Sequence, residues 1–150
     1  MLPWIPNFYT KETVDWLLDK GVNIVIANHE HVVHGCKFDI RNNKIATYAL
    51  GNFLGSAGVL KEPKDKRSEY SVILNVYLDN DTNRFDNITF SVTKTIYNTV
   101  TKQYEVWSAF DLFSKLNRKE KEKLFYDVIL VAEIFSGKKY DAVLKEYDLL

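Results

Sequence analysis

The stretch GVNIVIANHEHVVHGCKFDI, residues 21–40, joins an apolar run to all three histidines of the chain. The run at 22–27 is short, nearly continuous and rich in β-branched residues, which is typical of a strand covered on both faces. Upstream, Thr10 is a suitable helix N-cap and Gly21 a suitable C-terminal stop. The residues between them are therefore predicted to form a helix that packs on this strand.

The residues after the histidines predict a hairpin and then a second pair of strands. Segments 36–40 and 44–50 flank Arg41-Asn42-Asn43, whose asparagines tolerate the left-handed backbone of a tight turn. Segments 70–78 and 88–96 alternate apolar and polar residues, as expected for half-buried strands of an antiparallel pair. An α/β fold with mixed and antiparallel strands follows from this pattern.

The last third of the chain changes to helical spacing. Apolar residues recur every three or four positions between the cap Asn117 and the stop Gly137, which predicts a long amphipathic helix. A second, short helix is predicted over 140–147. We accordingly divide the chain into residues 1–100, which carry the strands, and residues 101–150, a helical C-terminal extension.

Composition restricts the class of protein. The 150 residues, 46% of them hydrophobic, suffice for one buried core, and 20 basic residues balance 20 acidic ones. This balance gives no electrostatic footprint for nucleic acid. The sequence contains neither a signal peptide nor an apolar stretch long enough for a membrane span. The single cysteine, Cys36, is predicted to be a buried structural thiol.

Two histidines follow the predicted strand at a place where open α/β sheets commonly bind ligands. Residues two apart in an extended segment point the same way, so His29 and His31 would share one side while Glu30 faces away. Imidazole binds zinc and iron, and also manganese when carboxylates complete the shell. Two ligands leave a site incomplete, and His34 is offset by an odd number of residues. The alternative is that these are polar loop residues satisfied by backbone and water.

Residues 21–40 and the following IATYALGNFLGS, residues 45–56, resemble the signature of the CapA (poly-γ-glutamate capsule synthesis) family. This family belongs to the calcineurin-like metallophosphatase superfamily, and its members read G-A-D-V-V-I-G-H-H-P-H-V-x-Q-G, then a hairpin, then Y-S-L-G-N-F. The resemblance implies part of a metallophosphatase sandwich with flanking helices, followed by the C-terminal helices. The residues of this chain that fall on the pattern are Gly21, Val25, Ile26, His29, His31, Val32, Gly35, Tyr48, Leu50, Gly51, Asn52 and Phe53.

The resemblance also implies roles for individual residues. His29 and His31 correspond to the paired histidines of a Gly-His-x-His motif, which completes a dinuclear centre of manganese, iron or zinc. Asn28 stands where the family has the first of two adjacent histidines, a place for a contact with substrate or with a ligand. Asn52 lies in the second signature turn, where a functional role and simple turn formation both remain open. Asn28 and Asn52 are our candidate catalytic residues.

The superfamily's other ligand motifs, Asp-x-His, Gly-Asp-x-x-Asp and Gly-Asn-His-Glu, do not occur upstream of His29. We therefore expect the C-terminal part of such a domain, with half a metal centre and no activity alone. The resemblance implies a role in poly-γ-glutamate capsule or cell-envelope polymer biosynthesis, with an anionic polymer or a phosphoester as substrate. The charged segment 61–69 is predicted to be a solvated surface loop, and its residues 61–66, just after the signature turn, could reach over such a polymer.

Two alternatives differ from that function. The chain would be a non-catalytic scaffold or binding module if its sheet and helices dock a missing N-terminal half or a second copy of the chain. It would be part of a generic metal-dependent phosphoesterase if a completed domain cleaves ordinary phosphoesters. Members of the family are usually associated with the cell envelope, but the sequence itself leaves the location open.

Overall fold

The computed structural model describes residues 6–54 and 66–150 and shows an α/β chain with two sheets. The predicted surface loop lies outside the described residues up to position 65, and Lys66–Glu69 form a 3₁₀ turn. The elements in chain order are α1 (Phe8–Asp19), β1 (Ile24–Ile26), β2 (Cys36–Asp39), β3 (Lys44–Thr47), β4 (Tyr70–Leu78), β5 (Phe85–Asn98), β6 (Gln103–Ser108), α2 (Ala109–Lys115), α3 (Arg118–Ser136) and β7 (Tyr147–Asp148).

The first sheet has three strands in the order β1, β3, β2. β1 runs parallel to β3, whereas β2 is antiparallel to β3. The predicted hairpin is therefore confirmed. Asn43, at its turn, has a φ of 56°, the left-handed conformation that asparagine adopts more readily than most residues.

The first helix packs on this sheet as predicted but begins earlier. Its N-cap is Asn7, whose Oδ1 accepts a hydrogen bond from the backbone N–H of Thr10 at 2.9 Å, so the prediction of Thr10 as cap is wrong. Gly21 has a φ of 95° directly after the helix and is the expected stop. The buried contact between helix and sheet is small and is made by Val14, Leu18, Val25 and Ala46, which we call the N-terminal cluster.

The prediction that β1 is covered on both faces is wrong. Val25 faces α1, but Ile24 is 39% and Ile26 51% exposed. β1 pairs with β3 through alternate residues: the carbonyl of Asn23 accepts from the N–H of Ile45, and the N–H of Ala27 donates to the carbonyl of Thr47. In a parallel pair the intervening residues point their backbone groups away from the partner strand. Among the described residues no strand pairs with β1 on that other side, so β1 is an edge strand there.

The second sheet is antiparallel and centred on β5, with β4 on one side and β6 and β7 on the other. β4 has the predicted bounds, and β5 extends beyond the predicted 88–96 at both ends. β6 was not predicted. The last 50 residues thus contribute strands to this sheet as well as helices.

α3 confirms the predicted caps. Asn117 and Glu120 form a reciprocal capping box, and Gly137 ends the helix at a φ of 73°. The short helix predicted over 140–147 is wrong, because Tyr147 instead begins β7 and stacks on Phe90, with ring centroids 5.0 Å apart. α2 and α3 cover the second sheet over what we call the main cluster, whose fully buried members include Phe90, Phe135, Val128 and Leu149.

The two sheets meet where the segment after β3 reaches β4. Gly51 pairs with Ser71, and the N–H of Val72 donates to the carbonyl of Leu50 at 2.8 Å. A side chain at Gly51 would lie 2.5 Å from the carbonyl oxygen of Tyr70, so only glycine permits this approach. The polypeptide after β3 is thereby attached directly to the larger sheet.

Cys36 packs against the main cluster at the start of β2. Burial raises the pKa of its thiol to about 12, as expected of a structural rather than a reactive cysteine. Within residues 6–54 and 66–150, no helix combines the length and the hydropathy that crossing a membrane would require.

Candidate functional site

His29 and His31 lie in the loop that leaves the C-terminal end of β1, which we call the histidine loop (residues 28–31). Both side chains are exposed, and their ring centroids are 6.1 Å apart at an interplanar angle of 42°. Two imidazoles at this separation are close enough for their nitrogens to converge on one cation, or on two cations about 3.5 to 4 Å apart. The structure therefore brings the two predicted ligands together.

The loop achieves this with an unusual backbone rather than with an extended one. His29 has a φ of 142° and His31 a φ of 58°. Positive φ is uncommon for residues other than glycine, and such conformations persist where the surrounding structure enforces them. The two rings therefore lie close together as expected, but the expectation that an extended backbone would align them is wrong.

Asn52 reaches the histidine loop from the segment after β3. Its Oδ1 lies 2.7 Å from Nδ1 of His31, and its Nδ2 donates to the carbonyl oxygens of His31 at 3.1 Å and Ser68 at 3.0 Å. The side chain is buried, at 7% exposure. Asn52 therefore joins three separate backbone segments and touches one of the two candidate ligands directly.

Asn28 holds the other side of the loop. Its side-chain oxygen accepts a hydrogen bond of 3.3 Å from the backbone N–H of Leu50. The two candidate catalytic asparagines thus both connect the loop to residues 50–52. The geometry of Asn28 is that of a loop anchor, and its predicted contact with substrate stays a prediction.

The neighbouring polar residues do not join the pair of imidazoles. Glu30 points towards the start of α1, where Nδ2 of Asn7 lies 3.4 Å from its Oε1. His34 is buried beyond the loop, and its backbone N–H donates to the carbonyl of Ala49. Among the residues that the structure describes, no group of three or more histidine, cysteine or acidic side chains is arranged to hold a metal ion.

A divalent metal fits this donor set in part. Two exposed imidazoles are suitable ligands for manganese, iron or zinc, but a protein metal site normally has three or four side-chain ligands. His29 and His31 would hold one side of such an ion. The remaining ligands would come from outside the described residues or from water.

A polar network supports the site from the second sheet, and sequence reasoning missed it. Nζ of Lys94 lies 2.9 Å from Glu69 Oε2 and 2.7 Å from the hydroxyl of Tyr70, which donates to Asp127 at 2.8 Å. Burial, followed by the charge of Asp127, raises the pKa of Tyr70. The network fixes the residues directly after Ser68, whose carbonyl accepts from Asn52. Its members come from three separate places in the sequence, residues 69–70, 94 and 127, and share no local pattern.

Comparison with known proteins gives one family. Residues 3–57 match the family described as bacterial capsule synthesis protein PGA_cap. The matched segment contains α1, the first sheet, the histidine loop and Asn52. Searches of curated proteins and of solved structures found no match.

Proposed function

We propose that this chain, whose residues 3–57 match the family of bacterial capsule synthesis proteins, serves poly-γ-glutamate capsule or cell-envelope polymer assembly through a divalent metal site at His29 and His31. One observation supports the metal site above the others. The two exposed imidazoles lie 6.1 Å apart on a loop whose backbone is held in uncommon conformations. Such strain is found where a structure must present side chains to a ligand.

The protein's own residues have distinct tasks in this proposal. His29 and His31 bind the ion, while Asn28 and Asn52 hold the loop that carries them. The bound metal supplies Lewis acidity and an activated water for hydrolysis at a phosphoryl or acyl centre of an anionic polymer or a phosphoester. A second copy of the chain or another polypeptide contributes the further ligands that a dinuclear centre needs.

The metal site is tested by adding Zn²⁺ or Mn²⁺ to the purified chain and following by NMR both the imidazole signals of His29 and His31 and the backbone amide signals of residues 28–31, which every variant retains. The variant His29→Gly plus His31→Asn removes both ligands with residues that accept positive φ, so the loop backbone is preserved. Glu30→Gln is the matched control, because it alters a carboxylate in the same loop that points away from the imidazoles.

We expect shifted or broadened signals from both imidazoles in the wild-type chain and in Glu30→Gln, and no binding at this loop in the double variant. Equal binding by the double variant would place the ion elsewhere. Absence of any effect in the wild-type chain at millimolar metal would contradict the proposal. This experiment needs no substrate and no enzymatic assay.

A second candidate function, a binding module, is favoured by exposed apolar residues beside the site. Phe8 and Tyr9 on α1 are 67% and 79% exposed, and Ile24 and Ile26 are exposed on β1, which is an edge strand within residues 6–54 and 66–150. An edge strand with apolar side chains is a template for pairing with another strand. In this reading the surface binds a second copy of the chain, or another polypeptide that carries the other half of the domain.

Sedimentation velocity over a range of concentrations tests the second copy. Self-association of the wild-type chain should be reduced by Ile26→Lys, which puts a charge on the open strand. Val100→Lys is the control, because Val100 is 87% exposed in the turn between β5 and β6. A wild-type chain that stays monomeric at every concentration would exclude a second copy as the partner.

A further inference from the structure

The orientation of the Asn52 amide is determined by its neighbours. Its Nδ2 faces the carbonyl oxygens of His31 and Ser68, at 3.1 and 3.0 Å. Carbonyl oxygens only accept hydrogen bonds, so the opposite orientation would place Oδ1 against two acceptors. Because the side chain is buried, the two unmade hydrogen bonds would be costly. Oδ1 must therefore be the atom that faces the imidazole.

This orientation decides which nitrogen of His31 carries the proton. Oδ1 of Asn52 can only accept, and it lies 2.7 Å from Nδ1 of His31. Nδ1 is consequently the donor. A neutral imidazole has one protonated nitrogen, so the lone pair of His31 is on Nε2.

We propose that Asn52 is a positioning residue that keeps His31 in the Nδ1-protonated tautomer and so makes Nε2 the atom that His31 presents to a divalent cation. The choice of cation as ligand rests on the proposed function, whereas the tautomer is a property of the chain without metal. A ligating histidine is commonly oriented in this way by a hydrogen bond to its other nitrogen. Here the acceptor is an amide oxygen rather than a carboxylate.

The same contact explains why the amide must be asparagine rather than a simple turn-former. One end of the group fixes the ring, and the other end fixes the backbone of His31 and of the 3₁₀ turn at Lys66–Glu69. The ring and the backbone of His31 are therefore held by one side chain. A residue that only formed the turn would set neither.

The experiment is ¹⁵N NMR of the neutral histidine rings in the metal-free chain, because ring ¹⁵N shifts distinguish a protonated from an unprotonated nitrogen. We expect His31 to show a protonated Nδ1 and an unprotonated Nε2. Asn52→Leu should shift His31 towards the mixture of tautomers of a free imidazole and leave His29 unchanged.

A wild-type His31 protonated at Nε2 would overturn the proposal, and so would an Asn52→Leu chain with an unchanged His31 spectrum. If Asn52→Leu does not fold, the wild-type spectrum still decides. Addition of Zn²⁺ then separates the two claims. A correct tautomer without metal binding contradicts the metal site alone, while binding through Nδ1 of His31 contradicts the role of Asn52.

Discussion

The described residues form two hydrophobic clusters of different extent, and the histidine loop adjoins the smaller one. The N-terminal cluster lies between α1 and one face of the first sheet, and exposed isoleucines flank it on β1. The main cluster includes residues from both sheets, from α2 and α3 and from the C-terminal strand. The family match covers the first region and ends before the second sheet begins.

This difference shows how a thinly covered region can present a defined site. The histidine loop is exposed, yet Asn52 connects it to Ser68 next to β4, and Gly51 pairs with Ser71 within β4. The loop is therefore positioned by the second sheet as much as by its own. Sites whose side chains are held by rigid neighbouring elements keep their geometry better than isolated loops do.

Gly51, where the segment after β3 meets β4, should be the position at which a substitution destabilises the chain most. Gly51→Ala would place a Cβ 2.5 Å from the carbonyl of Tyr70 at a φ of 79°, and strain plus overpacking should cost about 4 kcal/mol of unfolding free energy. Gly21→Ala, with a φ of 95° and nothing within 4 Å, should cost only about 1 kcal/mol. Urea unfolding of both variants measures the difference. Equal losses would show that the close approach at Gly51 contributes nothing.

The packing of the two clusters can be compared by making the same substitution, leucine to alanine, in each. Leu124→Ala in the main cluster should cost about 3.5 kcal/mol, and Leu18→Ala in the N-terminal cluster about 2 kcal/mol, because the exposed surroundings of Leu18 can collapse more easily. The two leucines are 3% and 5% exposed, so burial of the side chain itself is matched. Equal losses of unfolding free energy in the two variants, measured by denaturant titration, would mean that the two regions are equally well packed.

Much of the fold follows from local sequence patterns, since alternation predicted β4 and the caps predicted α3. The helix predicted over 140–147 is wrong, because the local spacing suits a helix whereas the stacking of Tyr147 on Phe90 favours a strand. Tertiary contacts of this kind override local propensity and leave no signal in the segment itself.

The candidate site was predicted in part. The two histidines stand out by spacing and by resemblance, but the hydrogen bonds from Asn52 to His31 and Ser68 span 21 and 16 residues. No periodicity connects such positions, so the sequence could name Asn52 without indicating what it binds. The positive φ values of the histidines are likewise set by these distant anchors.

The strain in the histidine loop provides a smaller test. His29→Gly should stabilise the metal-free chain by about 1 kcal/mol, because relief of a φ of 142° exceeds the entropic cost of glycine. The neighbouring Glu30→Gly, at a residue without positive φ, should instead destabilise the chain by about 0.5 to 1 kcal/mol. Opposite signs in thermal unfolding support stored strain in the loop, and a loss of stability in both variants contradicts it.

The smallest expected effect concerns an exposed carboxylate that attaches the C-terminal segment to the second sheet. Glu146 accepts hydrogen bonds from Thr89, Tyr77 and Asn75, and these lower its pKa from 4.5, with the bond from Thr89 contributing most. A carboxylate with a lowered folded-state pKa stabilises the fold above its ordinary pKa, and this contribution is lost as the pH falls through the folded-state value.

Glu146→Gln should therefore reduce the melting temperature slightly near neutral pH and make it less dependent on pH below about 4.5. Glu122→Gln on α3 is a control for the loss of one surface charge. Thermal unfolding followed by circular dichroism between about pH 2.5 and 7 gives both curves. Glu146→Gln and Glu122→Gln could instead change the melting temperature equally below about pH 4.5. The three hydrogen bonds would then not stabilise this attachment, and β7 would be held by the packing of Tyr147 in the main cluster alone.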